Sequence, residues 1–273
     1  MYPWRRILIP TDFSTASQWA FDDAIHLAAS TGAELIILHI RMTRTSRPGE
    51  LRFPADPQLY EYAEQHELDM LRERVKSAHA NVAARLVVRQ APHAGTEICR
   101  TAKDEDVDLI VISTHARHHI AHFIIGSTTM SVMHTPPAPV VAVRYGIRRR
   151  HGSLKRLVVP LHFDQSCEAA ATLAAEIARR EQSAVHLVTL VKKVDVDRAN
   201  AMQADAIARL FEGINVSGAV IVAGDVEGEL VKYCAEHDAD MLVVNAGDAV
   251  GDVKKEIVRN AGLPVMMVPE NNA

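Results

Sequence analysis

The sequence predicts an α/β chain of two doubly wound, five-stranded parallel-sheet domains in tandem, and three observations carry that reading. Arg6-Ile-Leu-Ile-Pro10-Thr-Asp12-Phe13 returns 150 positions later as Arg156-Leu-Val-Val-Pro160-Leu-His162-Phe163, so one unit is written twice in 273 residues. The apolar segments are short and continuous rather than alternating, as strands buried on both faces require. Helical spacings separate them, and strict alternation of strand and helix with right-handed crossovers builds a doubly wound sheet.

In the first copy Ile7-Leu8-Ile9 is the opening strand. Residues 14–31 then carry Ala20, Ala24, Leu27 and Ala28 at helical spacing, behind the cap residues Ser14 and Thr15 and before the stop Gly32. Leu35-Ile-Ile-Leu38 is the second strand, and residues 57–80 form a helix rich in Glu, Gln and Arg on its outer face. The β-branched run Leu86-Val-Val88, a helix over about 95–104, the strand Leu109-Ile-Val-Ile112, a helix from Ser127 and the strand Val140-Val-Ala-Val143 complete the unit. The second copy follows with strands at 157–159, 185–191, 219–222, 241–244 and 265–268 and helices at 165–180, 197–211 and 227–237; no helix is assigned between 244 and 265. The expected domains are 1–146 and 153–273, joined by an exposed linker that contains Arg148-Arg149-Arg150-His151. Residues 43–54 are an insertion of the first copy, with three basic residues and two prolines, expected as an exposed loop.

A 48% hydrophobic and 23% charged composition with a net charge of -4 describes a globular chain that offers no electrostatic footing to nucleic acid or an anionic membrane. No run reaches the roughly 18 apolar residues of a membrane span, and the N-terminus shows neither the apolar stretch nor the cleavage site of a secretory leader. Cys99, Cys167 and Cys234 are scattered and lack CxxC spacing, which argues against a disulfide framework or a cysteine zinc site. A cytoplasmic chain with reduced thiols is the expectation.

In an open parallel sheet, ligands bind beyond the carboxyl ends of the strands, where the strand order reverses. Those positions hold Pro10-Thr11-Asp12, Ile40 and the stretch from Ser113 to Ser127. Asp12 can accept from a ribose hydroxyl or cap the following helix, and the Gly126-Ser127 turn opens a helix whose N–H groups favour phosphate.

Pro10-Thr-Asp12-Phe-Ser, the strand end Leu38-His39-Ile40, and Thr114-His115-x-Arg117 followed by Gly126-Ser127 resemble the universal stress protein family in its tandem two-domain form. The resemblance covers nearly the whole chain. It implies a Rossmann-like, adenine nucleotide alpha hydrolase-like fold with ATP as ligand. The loop after strand four would wrap the phosphates, Asp12 would hold the ribose, and the backbone at Ile40 would meet adenine. The implied site is Pro10, Thr11, Asp12, Ile40, Ser113, His115, Ala116, Arg117, Gly126, Ser127 and Thr128, with no metal beyond nucleotide-associated Mg. In nucleotide-binding members that loop reads G-x-x-G, nine residues, then G-[ST], and here Ser113 and Ala116 stand for the first two glycines. If the loop needs φ > 0 there, each Cβ costs about 1–2 kcal/mol and blocks close approach of backbone to phosphate. Weak binding follows from that.

The second copy departs further. Asp108 and Pro139 are 31 positions apart, whereas Asp240 and Pro264 are 24 apart, so the loop has lost seven residues. His162 stands where Asp12 stood, and Asp252 brings a carboxylate where Ser127 would meet phosphate. This copy is read as a non-binding partner that supplies interface and stability. The histidines of His115-Ala-Arg-His118-His119-Ile-Ala-His122 have spacings found in metal sites, but no carboxylate or cysteine accompanies them, and a partly cationic loop is the simpler reading.

No G-x-x-x-x-G-K-[ST], G-x-G-x-x-G or G-x-S-x-G motif is present, and nothing pairs a base with a nucleophile, so catalysis is not expected. A phosphoacceptor receiver domain would need an Asp where Arg89-Gln90 ends strand three. The expected function is a stress-response protein that binds ATP or another adenine nucleotide weakly in its first copy and acts by regulation. The alternative is a scaffold that binds no nucleotide. The family's dimers pair their last strands, so pairing of Val140-Val-Ala-Val143 with residues 265–268 inside one chain, making a pseudo-dimer, is expected, with a homodimer as a further possibility.

Overall fold

The continuous apolar runs become the interior strands of a single sheet. The computed structural model describes residues 4–43, 57–79, 81–114, 125–146, 152–161, 168–191, 196–246 and 251–270. The first repeat runs β1 (Arg6–Thr11), α1 (Thr15–Thr31), β2 (Glu34–Met42), α2 (Pro57–Ala78), β3 (Ala84–Ala91), α3 (Ala94–Asp104), β4 (Leu109–Ser113), α4 (Ser127–His134) and β5 (Val140–Val143). The second runs β6 (Arg156–Leu161), α5 (Glu168–Glu181), β7 (Ala184–Val191), α6 (Val196–Leu210), β8 (Val216–Val222), α7 (Val226–Glu236), β9 (Met241–Asn245), α8 (Gly251–Asn260) and β10 (Val265–Val268).

The strand order is β3-β2-β1-β4-β5-β10-β9-β6-β7-β8. Within each repeat every pairing is parallel, and the order reverses beside the first strand, between β1 and β4 and again between β6 and β9. The repeats meet where β10 lies antiparallel to β5, Val265 opposite Ala142, Met266 opposite Val141 and Met267 opposite Val140. The linker expected to be exposed lies outside the described residues. Its far end, Gly152, has φ +64 and donates its N–H to Asp23 Oδ1 at 2.9 Å on α1. A Cβ on Gly152 would stand 2.7 Å from that of His26, so only glycine fits the contact. Arg144 Nη1 donates to the carbonyls of Arg259 and Ala261, at 3.3 and 3.4 Å, and ties the first repeat to the end of α8.

Successive strand residues face opposite sides, so two cores form, and each extends across both repeats. Ile7, Ile9, Val111 and Val141 pack with Leu157, Val185 and Val243 beneath α1, α2, α5 and α6. Leu8, Ile110 and Val140 pack with Val158, Leu242 and Met267 beneath α3, α4, α7 and α8. Two matching acids tie the amino edge: Asp108 Oδ2 accepts the N–H groups of Arg5 (2.7 Å) and Arg6 (2.9 Å), and Asp240 Oδ2 those of Lys155 (3.0 Å) and Arg156 (2.9 Å).

Two differences from the sequence reading have physical causes. The edge strands β3 and β8 run longer than their apolar stretches because polar residues are accommodated there, Arg85 and Arg89 half-buried and paired with Glu34 and Glu105, and Ser217 facing solvent. The helix α8 exists although its sequence, Gly-Asp-Val-Lys-Lys-Glu-Ile-Val-Arg-Asn, is mostly polar; Ile257 and Val258, then Ala261 just after its end, give it a narrow buried stripe.

Candidate functional site

The β1–α1 turn is built from its own hydroxyls and one acid. Thr11 is buried; its Oγ1 accepts from Phe13 N at 3.0 Å and lies 3.3 Å from Ser17 Oγ. Asp12 Oδ1 accepts from Ser14 N at 3.0 Å, and Ser14 in turn caps α1 by accepting from Ser17 N at 3.2 Å. Asp12 therefore braces the turn, and Ser14 does the capping. Phe13 sits at φ 61, in the left-handed region that costs a bulky L-residue energy.

The end of β4 is closed by three bonds. Thr114 N donates to Val143 O at 2.9 Å, Gly126 N to Thr114 O at 2.9 Å, and Thr129 Oγ1 to Ser113 O at 2.7 Å. They set the first turn of α4 against the carboxyl end of β4 while residues 115–124 intervene. Gly126 is the N-cap of α4 with φ -60 and ψ 145, a conformation open to any residue, and it supplies no side-chain cap bond. The first turn of α4 carries no acidic residue, so its field toward an anion is unopposed from within the helix.

Pro10, Thr11, Asp12, Ile40, Ser113, Gly126, Ser127 and Thr128 thus lie along one carboxyl edge of the sheet, around the β1/β4 switch point. His115, Ala116 and Arg117, the histidine loop to His122, the insertion at 44–54 and His162 lie outside the described residues. Among the described residues no group of three metal-ligating side chains occurs. Cys99 and Cys234 are free thiols, and burial pushes the Cys234 thiol up to about 12.

Sequence reasoning missed a buried polar group at this edge. His39, on β2 opposite Thr11, has its Nδ1 2.9 Å from the Thr11 carbonyl oxygen. Its Nε2 lies 3.0 Å from Glu64 Oε1, within ion-pair distance but off the line of a hydrogen bond. Its ring stacks on Phe13 at a centroid distance of 4.4 Å. Glu64, 5% exposed, receives Arg41 as a fork: Nε donates to Oε1 at 3.0 Å and to Oε2 at 2.7 Å, and Nη2 also donates to Oε2. The sequence carried a partial signal, for the acid but not for its partner. Glu64, Leu68, Leu71 and Val75 form the buried stripe of α2, and an acid at the head of such a stripe calls for a buried partner.

The second repeat answers differently at both places. Thr189 stands 150 positions after His39, and Gln203, in the α6 stripe Ala199, Gln203 and Ala206, takes the part of Glu64. Gln203 Nε2 lies within donor distance of Leu187 O (3.1 Å), Thr189 Oγ1 (2.9 Å) and Ala219 O (2.7 Å). At the end of β9, where β4 has Ser113, Asn245 Oδ1 accepts from Ala170 N at 2.7 Å in the first turn of α5.

Residues 3–144 match the model of the Universal stress protein family. The chain is 26% identical over 156 residues to a universal stress protein of Methanocaldococcus jannaschii, covering 52% of this chain and 95% of the relative. It is 28% identical over 157 residues to one of Bacillus subtilis, covering 52% of this chain and 99% of that protein. The crystal structure of a universal stress protein from Archaeoglobus fulgidus matches with a TM-score of 0.77 at 17% identity, over 99% of this chain and 98% of that one, which is agreement of fold through both repeats.

Proposed function

We propose that this chain, which belongs to the universal stress protein family, binds ATP or another adenine nucleotide weakly in the first of two domains, 1–146 and 153–273, and acts by regulation rather than turnover. The observation that carries the reading is the open start of α4, set by Thr129 and Gly126 against the end of β4 and lacking both an acid and a side-chain cap. Asp12, just after β1, and Ile40, near the end of β2, would supply the ribose and adenine ends that the family pattern calls for. Ser113 lies in β4 and outside the left-handed region, so its Cβ adds no backbone strain; where the pattern has glycine, that Cβ limits how closely phosphate approaches the backbone, and the affinity is low.

Among the described residues, regulation rather than turnover is supported by how two titratable groups at this edge are used: Asp12 Oδ1 accepts from Ser14 N, and His39 presents Nδ1 to the Thr11 carbonyl and Nε2 to Glu64. The second repeat is read as non-binding: Asn245 already supplies an acceptor to α5, and its loop is shorter by seven residues. With β5 and β10 paired, it serves as a built-in partner and makes the chain a pseudo-dimer.

Calorimetric titration of ATP into the intact chain and into a variant with Asp12→Ala and Gly126→Asp tests this. Aspartate is a favoured N-cap and the backbone at 126 admits it, so the variant folds while placing a carboxylate at the phosphate end. One saturable site, lost in the variant, is expected. No heat from the intact chain at millimolar ATP would remove the reading and leave a scaffold that binds no nucleotide.

A further inference from the structure

We infer that His39 is the positioning residue of this edge: by donating from Nδ1 to the Thr11 carbonyl, it fixes the turn from Thr11 to Ser14, and the Glu64 and Arg41 pair fixes His39. The inference rests on the nucleotide reading for its purpose, because that turn carries Asp12. Its geometry stands on the side chains alone. A carbonyl oxygen can only accept, so the hydrogen of the 2.9 Å contact belongs to His39 Nδ1. The ring is 6% exposed and is gripped on three sides, by the Thr11 carbonyl, the Phe13 ring and the Glu64 carboxylate.

Burying this polar group costs free energy that a hydrocarbon at the same place would not. The second repeat shows that the fold does not require it. At the matching position Thr189 and Gln203 satisfy one another and the neighbouring carbonyls without an ionic group. Phe13 adds the second observation. Its backbone is held at φ 61 while its ring lies on His39, so the imidazole supports a conformation that the turn would not choose unaided. The strained turn, the ring beneath it and the acid behind the ring are found together in the first repeat, which carries Asp12; the matching turn of the second repeat lies outside the described residues.

The test uses two amides that differ in where they place an N–H. His39→Asn puts its amide nitrogen where Nδ1 stands, and His39→Gln puts it where Nε2 stands, toward Glu64. The reporters are the exchanging amides of Phe13 and Ser14, bound to Thr11 Oγ1 and Asp12 Oδ1, with the core amides of β1 and β4 as internal references. Loss of about 1.4 kcal/mol of turn stability is a tenfold change, so protection of both amides is expected to fall about tenfold in H39Q and to hold in H39N. Equal behaviour of the two variants, or better protection in H39Q, overturns the inference, since a packing role would not distinguish which nitrogen is replaced. In the full chain H39Q is also expected to weaken ATP about tenfold, while H39N stays within about threefold of the intact chain. If the intact chain binds ATP and H39Q binds it equally well, the positioning role falls and the nucleotide reading stands. If the intact chain binds none, the nucleotide reading falls and amide exchange alone decides.

Discussion

Beneath α2 the first repeat buries the Glu64 carboxylate, held by Arg41 and lying 3.0 Å from His39 Nε2, and beneath α6 the second repeat buries a neutral pair, Thr189 with Gln203. Both hold a helix to the second strand of the repeat, so docking is not what sets them apart. The first-repeat version reaches the turn after the first strand through the Thr11 carbonyl, and the matching turn of the second repeat lies outside the described residues. One fold is built twice here, and among the described residues only the first copy buries a carboxylate at this place, a cost that the neutral pair of the second copy avoids.

The largest effect that would separate the two copies is expected at Glu64. Glu64→Ala strands His39 and Arg41, and with Arg41 partly open to water the loss should be about 2–3 kcal/mol in urea unfolding. Gln203→Leu removes the donor to three acceptors but leaves no charge behind, so about 1–2 kcal/mol is expected. A larger loss at Gln203 than at Glu64 would break the comparison. Asp108→Ala and Asp240→Ala serve as the control, because each acid accepts the same pair of strand amides; both should cost about 1 kcal/mol, equal within a few tenths.

The smallest effect sharpens the comparison through pH. In the second repeat burial, then the charges of His237 and Arg156, push the His186 imidazole down from its ordinary value, with Tyr233 OH 3.1 Å from its Nδ1. The unfolded chain then takes up the proton first, so this stabilisation is full above about pH 6.5 and drains as pH falls toward the folded value. In the first repeat the hydrogen bonds of Arg100 to Glu97 and of Arg85 to Glu105 hold those carboxyls below their usual range. Their contribution is full above about pH 4.3 and is lost only below it. Urea midpoints followed from pH 8 to pH 4 should show a shallow fall beginning at about pH 6.5, and His186→Phe should remove it.

Much of the fold was legible because interior strands announce themselves as unbroken apolar runs, as Leu35-Ile-Ile-Leu38 does. The repeat fixed the order of elements, and the resemblance to the family led to the expectation that 140–143 and 265–268 pair; that they pair antiparallel is seen only in the structure. The ends of β3 were not legible, since Arg85 and Arg89 sit in the strand while their charges reach Glu34 and Glu105. Nor was α8, whose buried stripe is too short to set a period. At the site, Ile40 and Ser113 lie inside the last residues of β2 and β4, whereas the places of Asp12 and Gly126 at the carboxyl edge were readable from position after a strand. His39 and Glu64 were not, because a histidine in a strand and an acid in a charged helix 25 residues away reveal a contact only once β2 and α2 are packed.

The antiparallel meeting of β5 and β10 has a consequence for inheritance. Two identical subunits joined across such a seam must change together, because a single gene writes both sides. Here the two sides are separate text on one chain, held at each other's side at any dilution by the tether between Gly146 and Gly152. Each side is then free to accept substitutions the other could not bear. Joining both copies in one chain, rather than the seam itself, is what leaves Gln203 and Glu64 free to be different answers within one molecule.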